Sequence, residues 1–151
     1  MKKILLTILT LLTVSLIANE EDKSFSYSGI GAGVNLMFPI PVPGVCIGLR
    51  DRTHNTAFDG RINISSICLI SAIELDLQAL TYSKDNSYVG GGIGGGLSFG
   101  QGNTILSAYP MMTVGKEKEK AFQEFSFSIV SFSTIGVIIS PCVNYTYGFK
   151  F

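Results

Sequence analysis

The last ten residues alternate without exception between two kinds of side chain, and this pattern constrains the fold more than any other feature. Large apolar or aromatic residues take the odd positions: Val143, Tyr145, Tyr147, Phe149 and Phe151. Small or polar residues take the even positions: Cys142, Asn144, Thr146, Gly148 and Lys150. Because successive side chains of a strand point to opposite faces, this period of two predicts a β-strand with one apolar and one polar face.

Six further segments repeat the period of two, and a seventh completes an even number of strands. Together with the last strand they predict strands near residues 25–38, 44–53, 57–68, 71–82, 87–99, 104–114, 121–131 and 135–151. The segment at 104–114 has no clean face and contains Pro110, and we assign it as a strand because parity and chain length require one. Eight strands of about ten residues account for a chain of this size.

Turn-forming residues separate the predicted strands. The prolines at 39–44 are expected to end a strand, because proline has no N–H to donate to a ladder. The connection between the third and fourth strands is either Ser65-Ser66 or Leu69-Ile70-Ser71. The remaining turns are predicted at His54-Asn55, 84–86, 100–103 and 116–120.

Residues 1–18 have the organisation of a signal peptide. Lys2 and Lys3 supply the positive start, an apolar stretch runs from Ile4 to Ile17, and Ala18 offers a small residue for cleavage. The stretch is shorter than the roughly 20 residues that a membrane-spanning helix needs. We therefore expect export, with residues 19–151 forming one domain.

The composition of the polar faces favours a barrel whose apolar faces meet lipid. Charged residues make up 15% of the chain, against about 25% in an average soluble domain. The polar faces consist largely of Gly, Ser and Asn, and the alternate glycines from Gly90 to Gly96 indicate a crowded interior. Aromatic residues near strand ends are expected at the two membrane interfaces: Phe25, Tyr27, Tyr82, Tyr88, Phe122, Phe149 and Phe151.

The final strand resembles that of the transmembrane β-barrel proteins of bacterial outer membranes, which ends in phenylalanine after alternating aromatic residues. The resemblance implies an insertion signal for the barrel-assembly machinery, outer-membrane lipid as the surroundings and both termini in the periplasm. Strand number and size resemble the OmpA transmembrane domain and OmpX, although every connection here is short. The signal residues would be Tyr145, Tyr147, Phe149 and Phe151.

Three short segments also resemble small outer-membrane proteins of the chlamydial type. They are Gly48-Leu49-Arg50 through Phe58-Asp59, Tyr88-Val89-Gly90 and Val114-Gly115-Lys116.

Charges of both signs fall on the polar faces and are expected to form a network inside the barrel. A hairpin centred on His54-Asn55 sets Arg50 opposite Asp59, and Arg61 can then reach the acids of the next strand. An eight-stranded barrel is narrow enough for side chains to fill, so we expect a closed plug and not a pore. The predicted network is Arg50, Asp59, Arg61, Glu74, Asp76 and Glu124.

Other reactive residues give weaker signals. His54 is the only histidine and lies in a predicted turn, where a solvated side chain is the simpler interpretation. No cofactor or metal site is indicated, and a net charge of zero argues against nucleic acid as a partner. The hairpin sets Cys46 opposite Asn63 and not Cys68, so disulfides through Cys46, Cys68 or Cys142 would be intermolecular.

The sequence thus predicts an all-β, eight-stranded antiparallel transmembrane barrel with a structural or surface role and no enzymatic chemistry. Two alternatives stay open. One is an outer-membrane lipid-modifying enzyme that uses His54, and the other is a soluble periplasmic barrel that binds a small ligand with its faces reversed.

Overall fold

A computed structural model describes residues 24–67, 70–100 and 102–151 of the chain. The predicted signal peptide lies outside these residues, so export and cleavage after Ala18 stay predictions. Within them there is no helix long and apolar enough to cross a bilayer.

Eight antiparallel strands form a closed barrel in which each strand pairs with the next and β8 pairs with β1. The all-β, eight-stranded antiparallel fold predicted from the period of two is therefore confirmed. The strands are β1 (Phe25–Asn35), β2 (Phe38–Thr53), β3 (Thr56–Ile67), β4 (Ile70–Tyr82), β5 (Ser87–Gly100), β6 (Asn103–Glu117), β7 (Ala121–Ser133) and β8 (Gly136–Lys150).

The alternation of side chains becomes an alternation between the outside and the lumen. On β4, Leu75 and Leu77 are exposed on the outer surface, whereas Asp76 and Gln78 are buried inside. The predicted assignment of apolar residues to the outer face is confirmed. Eight strands enclose a lumen that is narrow enough for large side chains to fill.

Strand β2 begins earlier than predicted, at Phe38, and contains the three prolines that were expected to form a turn. Alternate residues of a strand direct their N–H groups to the same edge. Within the described residues, Phe38 and positions 41–43 pair with β1, and pairing with β3 starts only at Gly44. Pro41 and Pro43 can therefore face the edge that has no partner strand, and Pro39 lies in the register shift without a ladder partner, so none of the three missing donors costs a ladder bond.

Strand β6 continues through Pro110 and runs to Glu117, so the turn predicted at 116–120 is shorter, at 118–120. The pairing of β6 with β7 shifts register between Ala108 and Met112. This irregularity surrounds Pro110 and explains how the ladder tolerates a residue without an N–H.

The remaining turns lie close to their predicted positions. His54-Asn55 closes the β2–β3 hairpin, with a φ of 52° at His54. Ile67 pairs with Ile70, so Ser65-Ser66 belongs to β3 and the alternative turn at that site is wrong.

In the turn after β4, the hydroxyls of Ser83 and Ser87 donate hydrogen bonds to Asp85. These bonds hold the pKa of the Asp85 carboxyl below its usual range.

The up-and-down topology gives the barrel two different ends. The terminus end carries the first and last described residues, Ser24 and Phe151, and the turns after β2, β4 and β6. The distal end carries the turns after β1, β3, β5 and β7, and each of these spans two residues between the flanking strand pairs. The prediction of short connections is confirmed at all four distal turns.

Candidate functional site in the barrel lumen

Arg50 is enclosed in the terminus half of the lumen and is only 1% exposed. Its Nε donates to Oδ2 of Asp59 at 2.6 Å, which is the cross-strand partner expected from the hairpin register. Its Nη2 donates to Oε2 of Glu124 at 3.1 Å. The guanidinium also lies over two aromatic rings, 4.5 Å from the centroid of Phe122 and 4.7 Å from that of Tyr88. Ionic and cation–π contacts together compensate this buried charge.

Arg61 occupies the next layer of the lumen and shares Glu124 with Arg50. Its Nη1 donates to Glu124, and its Nε donates to Oδ2 of Asp76 at 3.2 Å. Glu124 stands on β7 and the two arginines stand on β2 and β3, so these bonds cross the lumen between opposite walls. This cross-wall bridge closes the terminus half of the barrel.

Aromatic residues surround the bridge instead of forming an outer girdle. The hydroxyl of Tyr27 donates to Asp59 at 2.9 Å, and that of Tyr88 donates to Glu124 at 2.7 Å. The interfacial prediction is wrong for five residues, which all point into the lumen: Phe25, Tyr27, Tyr82, Tyr88 and Phe122. Each of them continues the set of alternate residues that faces inward on its strand.

Glu117 is a lumen residue, although the sequence predicts a turn at 116–120. Lys150 donates to its Oε1 at 2.9 Å, and Arg52 approaches the same oxygen at 3.5 Å. The hydroxyl of Tyr82 donates to Oε2 at 2.6 Å. Because the segment 104–114 shows no clean face, its sequence carries no alternation that could assign Glu117 to the lumen.

A layer of uncharged polar residues lies beside the bridge. Thr113 donates to Oε1 of Gln78 at 2.5 Å and lies 3.0 Å from the hydroxyl of Ser126. Gln78 Nε2 is buried and has no hydrogen-bond partner among the described residues. Ser126 also accepts a hydrogen bond from Nη2 of Arg61 at 3.3 Å, so this layer contacts the charged network.

Beyond this layer the lumen opens into a cavity of about 330 Å³ in the distal half. The expectation of a lumen filled along its whole length is therefore too broad, because only the terminus half is filled. Small residues such as Gly31, Gly44 and Ser128 line the wall and leave the space open. Glu74, the sixth residue of the predicted network, faces this cavity and does not join the bridge.

The other sequence candidates lie apart from the bridge. His54 is exposed in its turn. Cys46 is buried, and both Cys46 and Cys142 line the cavity as free thiols. Intermolecular disulfides through these two residues would require their thiols to reach beyond the lumen wall. Cys68 lies outside the described residues.

The residues of the predicted insertion signal point away from the lumen on β8. The ring of Tyr145 packs 5.0 Å from that of Phe125, and the ring of Tyr147 packs 5.0 Å from that of Phe149. Phe151 follows the end of the strand and is 76% exposed. Tyr145, Tyr147 and Phe149 thus form an outward aromatic row on the strand that closes the barrel, and their role as an insertion signal stays a prediction.

Comparison with known proteins identifies the fold and nothing finer. Neither a protein-family model nor a curated protein sequence matches this chain. Among solved structures, Neisserial surface protein A is similar, with a TM-score of 0.56 over 87% of this chain and 96% of that chain. The two proteins share a fold. At 7% sequence identity, the likeness extends to the barrel architecture alone.

Proposed function

We propose that this protein is an integral outer-membrane β-barrel with a structural or surface role and no enzymatic chemistry. The observation that carries the proposal is the inverted distribution of polarity. Charged Arg50, Asp59 and Glu124 are buried inside, while aliphatic residues such as Ile93 are 65% exposed outside. Such a surface is stable in contact with lipid, because the hydrocarbon of the bilayer solvates the apolar side chains.

The same polarity argues against a soluble periplasmic ligand-binding barrel. A soluble barrel would turn its apolar faces inward and its polar faces to water. Here large apolar residues occupy the outer face of every strand, including Ile47, Leu75 and Ile129. An aqueous protein with an apolar surface of this extent would aggregate.

A lipid-modifying reaction at His54 receives little support. Nucleophilic catalysis needs a base that is oriented beside its nucleophile. The described hydrogen bonds and ion pairs include none from the His54 side chain, and the residue sits at the exposed tip of a hairpin. A role without enzymatic chemistry fits this arrangement better.

The short distal turns also bear on the kind of surface role. Two residues per turn offer little area for adhesion through loops, and none of these turns carries a charged residue. Similarity to a Neisserial surface protein is compatible with a surface role. Finer assignments, to the OmpA and OmpX type or to the chlamydial type, stay predictions.

Membrane location and the insertion signal can be tested together. The wild type should fractionate with outer membranes and run as a compact, heat-modifiable band. Phe151→Asp should lower the folded fraction and leave protein in the periplasm, because the barrel-assembly machinery would read the last aromatic residue of β8. The matched control is Phe151→Tyr, which keeps an aromatic ring and should insert normally.

Two results would contradict the proposal in separable ways. Wild-type protein recovered as a soluble periplasmic species would support the soluble alternative. Normal insertion of Phe151→Asp would remove the role of the terminal residue and leave the membrane location standing.

A further inference from the structure

The lumen holds one more carboxylate than cationic side chains. Among the described residues, the lumen-facing cations are Arg50, Arg52, Arg61 and Lys150, and the lumen-facing acids are Asp59, Glu74, Asp76, Glu117 and Glu124. Every acid in this set except Glu74 has a cationic nitrogen within 4 Å. The surplus negative charge therefore resides at Glu74.

Glu74 lies on the wall of the distal cavity, close to Asp76 on its own strand and to the hydroxyl of Tyr109 on β6. On β5 its cross-strand neighbour is Gly96, which has no side chain, and Gly96 in turn pairs with Ser107 on β6. Asp76, two residues along β4, is already occupied by Arg61 and by the amide of Asn63 at 2.7 Å. The surplus carboxylate is thus directed into a space that another molecule can enter.

The cavity is lined mostly by apolar surface, with hydroxyl and amide groups set into it. Its volume of about 330 Å³ falls within the range of roughly 300–1,000 Å³ that small-molecule pockets occupy. Hydroxyl and amide groups pair with hydroxylated ligands, since each offers both a donor and an acceptor. Such residues include Asn63, Ser107, Ser128, Ser131, Ser140 and Asn144.

We propose that this cavity binds a small hydroxylated primary amine, with the ammonium group against Glu74 and the hydroxyl groups against the serine and asparagine side chains. A partly desolvated carboxylate without a cation is unfavourable, and a ligand ammonium would compensate its charge. The site belongs to the open half of the lumen and goes beyond the structural role proposed above. Because binding can be measured in detergent, its failure would leave the membrane location untouched.

The test compares two ligands that differ in a single group. Glucamine and sorbitol have the same carbon chain and hydroxyl groups, except that glucamine carries an amine in place of one terminal hydroxyl. Refolded protein in an uncharged polyoxyethylene detergent is titrated with each by calorimetry near neutral pH. We expect wild type to prefer glucamine by roughly tenfold or more, as a charge-assisted hydrogen bond provides.

Glu74→Gln should abolish the preference for glucamine while leaving the weak affinity for sorbitol. The control Glu119→Gln changes an exposed turn carboxylate and should behave as wild type. Ser107→Phe retains Glu74 but fills the cavity, so it should bind neither ligand. It provides a second test if Glu74→Gln folds poorly.

Three results would overturn the proposal: equal affinities of wild type for the two ligands, no binding of either ligand, or an undiminished preference for glucamine in Glu74→Gln. Equal affinities would indicate that a proton neutralises Glu74.

Discussion

Glu124 holds the filled half of the lumen together because it accepts hydrogen bonds from both central arginines and from Tyr88. Breaking a buried ion pair by removing one partner leaves an uncompensated charge, and this costs about 3–5 kcal/mol. If Glu124 is neutralised, Arg50 keeps Asp59 and Arg61 keeps Asp76 as a second acidic partner. The loss of stability should therefore lie near the lower end of this range.

We therefore expect Glu124→Gln to lower the free energy of unfolding by about 3 kcal/mol. Glu119→Gln, in an exposed turn, should leave it unchanged. Denaturant titration of both variants refolded into vesicles measures the difference. Equal stability of the two variants would mean that the bridge contributes nothing to the fold.

The same residues indicate what the sequence could foresee in the lumen. The pairing of Arg50 with Asp59 followed from a hairpin register that two turn residues determine. The position of Glu124 opposite both arginines could not be foreseen, because it depends on barrel closure, which brings β7 across from β2 and β3. Tyr27 and Tyr88 could have been assigned to the lumen by continuing the alternation of their strands.

At the scale of one strand, β7 presents neighbouring residues to opposite environments. Phe127 lies at the middle of the strand on the outer face, and Ser128 lines the cavity. Arginine on the lipid face of such barrels costs about 2–4 kcal/mol at the midplane of the bilayer. We expect Phe127→Arg to lose stability in this range.

Ser128→Arg is the matched control, since it adds the same charge one residue further along the same strand. It should refold into vesicles with a smaller loss, because the cavity offers space and the Glu74 carboxylate. A loss as large as that of Phe127→Arg, or larger, would mean that the two faces are assigned the wrong way round.

Strand bounds were harder to foresee than strand faces, for a physical reason. Alternation survives wherever side chains meet two environments, so the faces of β3, β4 and β8 could be predicted from residue type. Proline is excluded only where its missing N–H would face a pairing strand. That condition depends on the neighbouring strands, so the pairing of residues 41–43 with β1 and the register shift around Pro110 were not visible in the chain itself.

At the scale of the whole molecule, the barrel combines a sealed half with an open half. Arg50, Phe122 and Glu124 occupy the terminus half, and the cavity does not extend past the bridge. Planar-bilayer recordings of the wild type should therefore show little steady conductance. Large, stable channels would contradict the sealed lumen and make a general porin the better description.

The central claim is that the outer face of the barrel contacts lipid hydrocarbon, and the absence of tryptophan from the chain allows a direct measurement. A single tryptophan at Phe127→Trp would report from the outer face, and one at Tyr109→Trp would report from the cavity wall. Each variant is refolded into vesicles whose acyl chains carry bromine, which quenches tryptophan fluorescence on contact. We expect strong quenching at position 127 and little at position 109. Equal quenching at the two positions, or stronger quenching at 109, would contradict the claim.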